Sequence, residues 1–123
     1  MKFREIELTN GKKILLGKNA EQNEELVNKF KGKDNVMLHT EKPGSPFGVI
    51  ENLNPSKIDM SASGAIVARY SHDWRDNKND VKVHVFKGKD VYKRKGMKIG
   101  TFGVKKYKTI KIKKKEIEKI KDV

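Results

Sequence analysis

The last third of the chain sets lysines among β-branched and aromatic residues, and that combination constrains the fold more than any other stretch. Val81, Val83 and Val85 alternate with Lys82, His84 and Phe86, the period-two signature of a strand. Further on, Ile99, Thr101 and Gly103 alternate with Gly100, Phe102 and Val104, and Tyr107, Thr109, Ile110 and Ile112 follow among lysines. This spacing predicts two short strands joined near Val104-Lys105-Lys106, with the lysines on the solvated side. Residues 113–123 close the chain as a basic helix, with Ile117 and Ile120 on one side. Disordered basic tails contain few β-branched or aromatic residues. The stretch therefore reads as a folded basic face.

Its charge is extreme. Residues 87–121 hold 15 Lys or Arg against three acids, whereas residues 1–86 hold 14 against 12, so nearly all of the chain's net +13 lies in its last third. A lysine-rich surface of heat-adapted type would carry both signs together. One sign concentrated on one face points instead to a polyanion, whose condensed counterions are released on binding. No anionic membrane is implied, because the basic stretch is strand-like and lacks the broad apolar face of an interfacial helix. Duplex DNA stays open, since phosphate contacts do not separate the nucleic acids.

At 123 residues the chain fits one domain, 1–123, with a modest core. It contains no cysteine and three histidines without metal-ligand spacing, so neither a metal site nor another cofactor is expected. No apolar run approaches ~18 residues and the N-terminus has no apolar leader segment, which predicts a soluble, cytoplasmic protein.

Phe3 and Leu8 among charged neighbours, the Asn10-Gly11 turn and the return of Lys12 to Leu16 predict an N-terminal hairpin. Asn19 then caps a helix carrying Ala20, Asn23, Leu26, Val27 and Phe30 on one face, with Gln22 able to reach back as in a capping box and Gly32 ending it. Val36 to Thr40 and Phe47 to Glu51 form a strand pair around a Pro-Gly turn. A second helix starts at Asn54-Pro55-Ser56 with Ser56 and Asp59 as cap pair. Ile58, Ala62, Ala65, Ile66, Tyr70 and Trp74 follow at helical spacing. The fold class that results is α+β: a mostly antiparallel sheet packed against two main helices.

Three stretches together resemble the NFACT-R family, the RNA-binding module of the NFACT proteins. They are Gly17-Lys18-Asn19-Ala20-Glu21-Gln22-Asn23-Glu24-Glu25-Leu26-Val27, then Leu38-His39-Thr40 with Pro43-Gly44-Ser45, and Ala68-Arg69-Tyr70-Ser71 followed by Val81-Lys82-Val83 and Lys93-Arg94-Lys95-Gly96-Met97-Lys98-Ile99-Gly100. Order and spacing hold from about Leu16 to Ile112. Pro46-Phe47 stands where the family usually has His, and Met37 where it often has an aromatic. The family includes ribosome quality-control factors that bind large ribosomal subunits carrying a stalled peptidyl-tRNA, and bacterial fibronectin-binding-protein homologues. The resemblance implies the stand-alone form of the domain, without the other domains of the large factors or their tail-adding activity.

The function expected is therefore non-catalytic binding of structured RNA, ribosomal RNA or tRNA, in a ribosome-associated setting. Lys93, Arg94, Lys95, Lys98, Lys105, Lys106 and Lys108 are the candidate phosphate contacts. Lys18, Asn19, His39, Thr40, Gly44 and Ser45 form, as the resemblance implies, a polar shape-reading pocket, with Arg69 beside the second helix and Tyr92 able to stack on an unpaired base. Trp74, as the last member of an apolar stripe, reads as core. The competing class is an RNA-directed enzyme with His39 as general acid or base and Ser45 or Asp73 assisting. Ser71-His72-Asp73, adjacent in sequence, cannot face one another as a triad.

Overall fold

The computed structural model describes residues 2–8 and 11–121. Eight strands and four helices follow one another as β1 (Arg4–Glu7), β2 (Lys13–Leu16), α1 (Ala20–Phe30), β3 (Val36–Thr40), β4 (Gly48–Ile50), α2 (Lys57–Arg69), α3 (His72–Asn77), β5 (Val81–Lys87), β6 (Val91–Tyr92), β7 (Gly103–Val104), β8 (Lys108–Ile112) and α4 (Lys114–Glu118). Six strands form one sheet in the order β1-β2-β4-β3-β5-β8, every pair antiparallel. The fold is α+β, as the hydrophobic patterning predicts. The predicted turn at Asn10-Gly11 lies partly outside the described residues, but β1 and β2 pair as expected, with Ile6 opposite Ile14.

Both faces of the sheet are covered, one by each long helix. Ile14, Leu16, Leu38, Val81, Val83 and Ile112 point to α2 and pack with Ala65, Ile66, Val67 and Trp74. Leu15, Met37, Val49 and Phe86 point the other way and pack with Leu26 and Val27 of α1. Successive strand residues point to opposite faces, so a strand between two helical layers is apolar on both sides. That is why Val36-Met37-Leu38 and Val49-Ile50 read as continuous apolar runs.

α1 starts where Asn19 Oδ1 accepts the Gln22 N–H at 2.9 Å. The Gln22 side chain does reach back, but to the Lys18 N–H at 2.9 Å and not to the cap residue. Ala20 is exposed, so the buried face of α1 is Gln22, Asn23, Leu26 and Val27. α2 has the predicted capping box between Ser56 and Asp59, and Asp59 also pairs with Lys12 of the first hairpin at 2.9 Å.

Two expectations fail here. The second helix is not continuous to Trp74: it stops at Arg69, and Ser71 begins the separate α3 by accepting the Trp74 N–H at 3.2 Å. Trp74 nevertheless enters the core beside Val67 and Ala68, while Ile58 at the other end of the stripe is 76% exposed. The two basic strands at the end also do not pair with each other. β7 pairs with β6 in a separate two-stranded ribbon, and β8 pairs with β5 at the sheet edge. Local alternation says that a segment is a strand; it carries no information on the partner.

α4 keeps Ile117 fully buried against the α2 layer, with Ile120 packed alongside. Its first N–H, on Lys114, is held by Asp80 Oδ1 at 2.8 Å. That bond and the nearby Lys113 and Lys111 hold the Asp80 carboxyl below the usual carboxylate range. No helix among the described residues is long and apolar enough to cross a membrane.

Candidate nucleic-acid interface

A cleft of about 730 Å³ opens on the α1 side of the sheet, within the range of specific ligand sites. Its walls are four connecting segments: Gly17-Lys18-Asn19 before α1, Pro43 to Phe47 between β3 and β4, Tyr70 to His72 between α2 and α3, and Ile99 to Phe102 before β7. Its floor is the sheet itself, with His39 on β3 and His84 and Phe86 on β5. Tyr107 and Arg4 complete the lining.

Close backbone approach builds the first wall. Asn23 Oδ1 accepts the Phe47 N–H at 3.1 Å, tying α1 to the start of β4. Gly17 lies directly over that carboxamide, and any Cβ at Gly17 would collide with Asn23 Oδ1. The Gly17-x-Asn-x-x-x-Asn spacing is thus a packing requirement before it is anything else. Opposite, Gly44 has φ +87° and faces His72, whose N–H donates to the Gly44 carbonyl at 2.7 Å. Only glycine meets both demands there. Ser45 Oγ donates to the Pro46 carbonyl at 2.7 Å and accepts the Thr40 N–H at 3.3 Å, and Thr40 Oγ1 donates to the Lys42 carbonyl at 2.7 Å. These hydroxyls lock the Pro-Gly turn, so Ser45 is engaged in structure and not poised beside His39.

His39 and His84 lie directly opposite one another in the β3–β5 register. Phe47 packs on His39 with ring centroids 4.5 Å apart, and Tyr107 stacks on His84 at 4.1 Å. Burial pushes the His39 imidazole below its usual range; the Thr40 carbonyl opposes this, and the neighbouring His84 adds to it. His39 Nδ1 sits 2.7 Å from the Thr40 carbonyl oxygen and so holds the proton of the neutral ring, leaving Nε2 as an acceptor. His84 Nε2 approaches Glu41 Oε1 at 3.5 Å. No group of three or more His, Asp or Glu among the described residues is arranged to hold a metal ion.

Residues 2–106 match the NFACT protein RNA binding domain. The chain belongs to that family. Among curated proteins it is 34% identical over 106 residues to the Rqc2 homolog RqcH of Streptococcus suis (strain 05ZYH33), covering 85% of this chain and 19% of the relative. It is 35% identical over 95 residues to the Rqc2 homolog RqcH of Bacillus subtilis (strain 168), covering 76% of this chain and 16% of the relative. The chain thus spans less than a fifth of these relatives' length. In three dimensions it is similar to the C-terminal part of the fibronectin/fibrinogen-binding protein from Streptococcus suis, with a TM-score of 0.84 and 28% identity, over 99% of this chain and 50% of that one.

In this NFACT RNA-binding domain, six residues singled out in the sequence meet at one cleft: Lys18, Asn19, His39, Thr40, Gly44 and Ser45 all line it. The basic residues expected to contact phosphates do not line it but adjoin its lining segments in the chain. Lys98 precedes the lining segment Ile99–Thr101, and Lys106 and Lys108 bracket Tyr107. Arg94, Lys95, Lys98, Lys105, Lys106 and Lys108 are exposed. Arg69 is half-buried at the end of α2.

Lys93 and Tyr92 have structural employment. The three ammonium donors of Lys93 go to Glu24 Oε1 at 2.9 Å, the Lys98 carbonyl at 2.6 Å and the Thr101 carbonyl at 2.7 Å, over the Phe102 ring. Glu24 also accepts the Gly100 N–H at 2.7 Å. Burial works against ionisation of Glu24, but the Gly100 N–H and the Lys93 ammonium outweigh it and hold the carboxyl below its usual range. Lys93 therefore clips the basic loop onto α1. Tyr92 carries Arg94 over its ring at 4.9 Å and packs against Gly103, where any side chain would collide with it.

Arg4, Tyr70, His72, His84 and Tyr107 also line the cleft, and sequence reasoning did not place them there. Arg4 lies over the Tyr70 ring at 4.5 Å. Only the pairing of β3 with β5 carries His84 to His39, and no local motif encodes it. Tyr107, an aromatic inside Lys105-Lys106-Tyr107-Lys108, was the one with a readable signal, since interleaved aromatics and lysines mark single-strand binding surfaces.

Proposed function

We propose that this chain binds RNA, and that its target is structured RNA of the translation machinery, ribosomal RNA or tRNA. One observation carries the reading: a cleft with two histidines on its floor is lined by Ile99–Phe102 and Tyr107, and exposed basic residues adjoin those lining residues in the chain, Arg94, Lys95 and Lys98 on one side and Lys105, Lys106 and Lys108 on the other. Lysine and arginine flanks supply affinity through phosphates, and the cleft supplies selectivity. The match to an RNA-binding family and the RqcH relatives, described as homologs of Rqc2, support the same class of ligand. A place in ribosome quality control follows from that likeness. Binding, not catalysis, is the role we assign to the cleft: Ser45 is held in the turn and Asp73 is bonded to Asn77 at 2.8 Å, so neither stands free to assist His39.

Affinity for ribosomal RNA, tRNA and matched duplex DNA across a salt series tests this. The expected result is a preference for one RNA, a steep salt slope, and a shallower slope in the Arg94→Ala/Lys95→Ala/Lys98→Ala variant. Lys93 is left in place because it fixes the loop. Equal binding to all ligands, or none at physiological salt, would overturn the proposal.

A further inference from the structure

Tyr107 is 51% exposed, one of few large apolar side chains left so among the described residues. It is nevertheless held. One ring face lies on the His84 imidazole, 4.1 Å between centroids and 26° between planes. His84 is in turn fixed by its register on β5 and by Glu41 at 3.5 Å. Lys106 and Lys108, both exposed, stand on either side in the chain. A rigid aromatic ring with a supported back, a solvent-accessible side and flanking cations is the arrangement that takes one base and its two phosphates. Tyr92, the other aromatic of the basic segment, is engaged by Arg94 and by Gly103.

We infer that Tyr107, backed by His84, is a stacking platform for a single unpaired nucleobase entering the cleft, with Lys106 and Lys108 on the adjoining phosphates. This rests on the RNA-binding reading and adds to it the state of the nucleotide that is recognised. Paired bases in an A-form stem cannot present a free face to the ring, whereas a bulged or looped base can. Stacking is tolerant of base identity because every base has a π-face. The platform therefore selects for an unpaired position, not for a sequence.

The test uses the full chain and three hairpin RNAs of one sequence: fully paired, with one unpaired adenosine in the stem, and with that nucleotide abasic. Wild type is expected to bind the unpaired-adenosine hairpin roughly tenfold more tightly than the abasic one. Tyr107→Ala should lose that preference, and Tyr107→Phe should retain it. Tyr107→Leu, which fills the same space without a π-face, should behave as the alanine variant does. Independently of any variant, 2-aminopurine in place of the adenosine should be quenched when wild type binds. Equal wild-type affinity for the three hairpins would sink the platform and leave RNA binding standing. A preference that survives Tyr107→Ala and Tyr107→Leu would also sink it. Absence of binding to every hairpin would overturn both readings.

Discussion

Lys93 shows how one residue can look like a ligand contact and act as a clip. With its side chain only 20% exposed and its three donors on Glu24, Lys98 and Thr101, it joins the basic loop to α1. Lys93→Met should cost about 1–3 kcal/mol in stability and speed hydrogen exchange at the Gly100 amide, which shares the Glu24 carboxylate. Unchanged exchange at Gly100 would contradict the assignment. The Glu24 carboxyl is held below its ordinary value of 4.5. A lowered carboxylate contributes stability that is complete above the unfolded value and is lost as pH falls through the folded one. The loop should therefore loosen on acidification below about pH 4.5, visible in the same amide. His39 is lowered as well, but from 6.5 and as a base. Its ring is neutral in both states above that value. Below it the unfolded chain takes up a proton that the folded chain resists, so stability falls until pH drops beneath the folded value. His39→Leu should flatten the stability profile just below pH 6.5, measured by urea midpoints.

At the scale of elements, caps and turns were legible because they are local. The Asn19 cap, the Ser56/Asp59 box and the Pro-Gly turn each announce themselves within a few residues and form as read, whereas Gln22 bonds the Lys18 N–H in place of the cap residue. Pairing was not. The stretches from Ile99 to Val104 and from Tyr107 to Ile112 were expected to pair with each other, yet only Gly103–Val104 of the first is strand and it joins β6, while Lys108–Ile112 joins β5. Nothing within the segments favours one partner, since register is decided by burial on both faces at once. The break of the second helix at Tyr70 was equally hidden, because Trp74 keeps helical spacing while α3 turns it into the same core by a new direction. Ser71 fixes that turn, donating to the Ala68 carbonyl at 2.6 Å and accepting the Trp74 N–H. Ser71→Ala should cost about 1 kcal/mol, as lost N-caps do. Trp74→Ala should cost about 3–5 kcal/mol through the cavity it leaves. Comparable urea midpoints for the two variants would mean that Trp74 is not the anchor of α3.

At the scale of the whole molecule, charge and shape coincide. Half of the candidate cleft was legible in the sequence, the half whose residues lie in two contiguous motifs; the other half, from His72 to Tyr107, is assembled only by the sheet. The two exposed basic segments adjoin that assembled half along the chain, Lys98 leading into Ile99–Thr101 and Lys106 and Lys108 flanking Tyr107. If RNA crosses the cleft, both segments meet phosphates, and they do so independently. Each phosphate contact removed should lower the magnitude of the salt slope by about one. Lys105→Ala/Lys106→Ala/Lys108→Ala should then reduce the slope by about as much as Arg94→Ala/Lys95→Ala/Lys98→Ala does, and the sextuple variant by about the sum. Lys13→Ala/Lys57→Ala, two exposed lysines in the charge-balanced part of the chain, should leave the slope unchanged. A bare electrostatic attraction to the net charge would respond to all lysines in proportion to number, wherever they stand. Titration of one structured RNA at four salt concentrations separates the cases. A reduction confined to the two basic segments locates the path of the backbone across the cleft, and a reduction shared by the Lys13/Lys57 variant means that no such path exists.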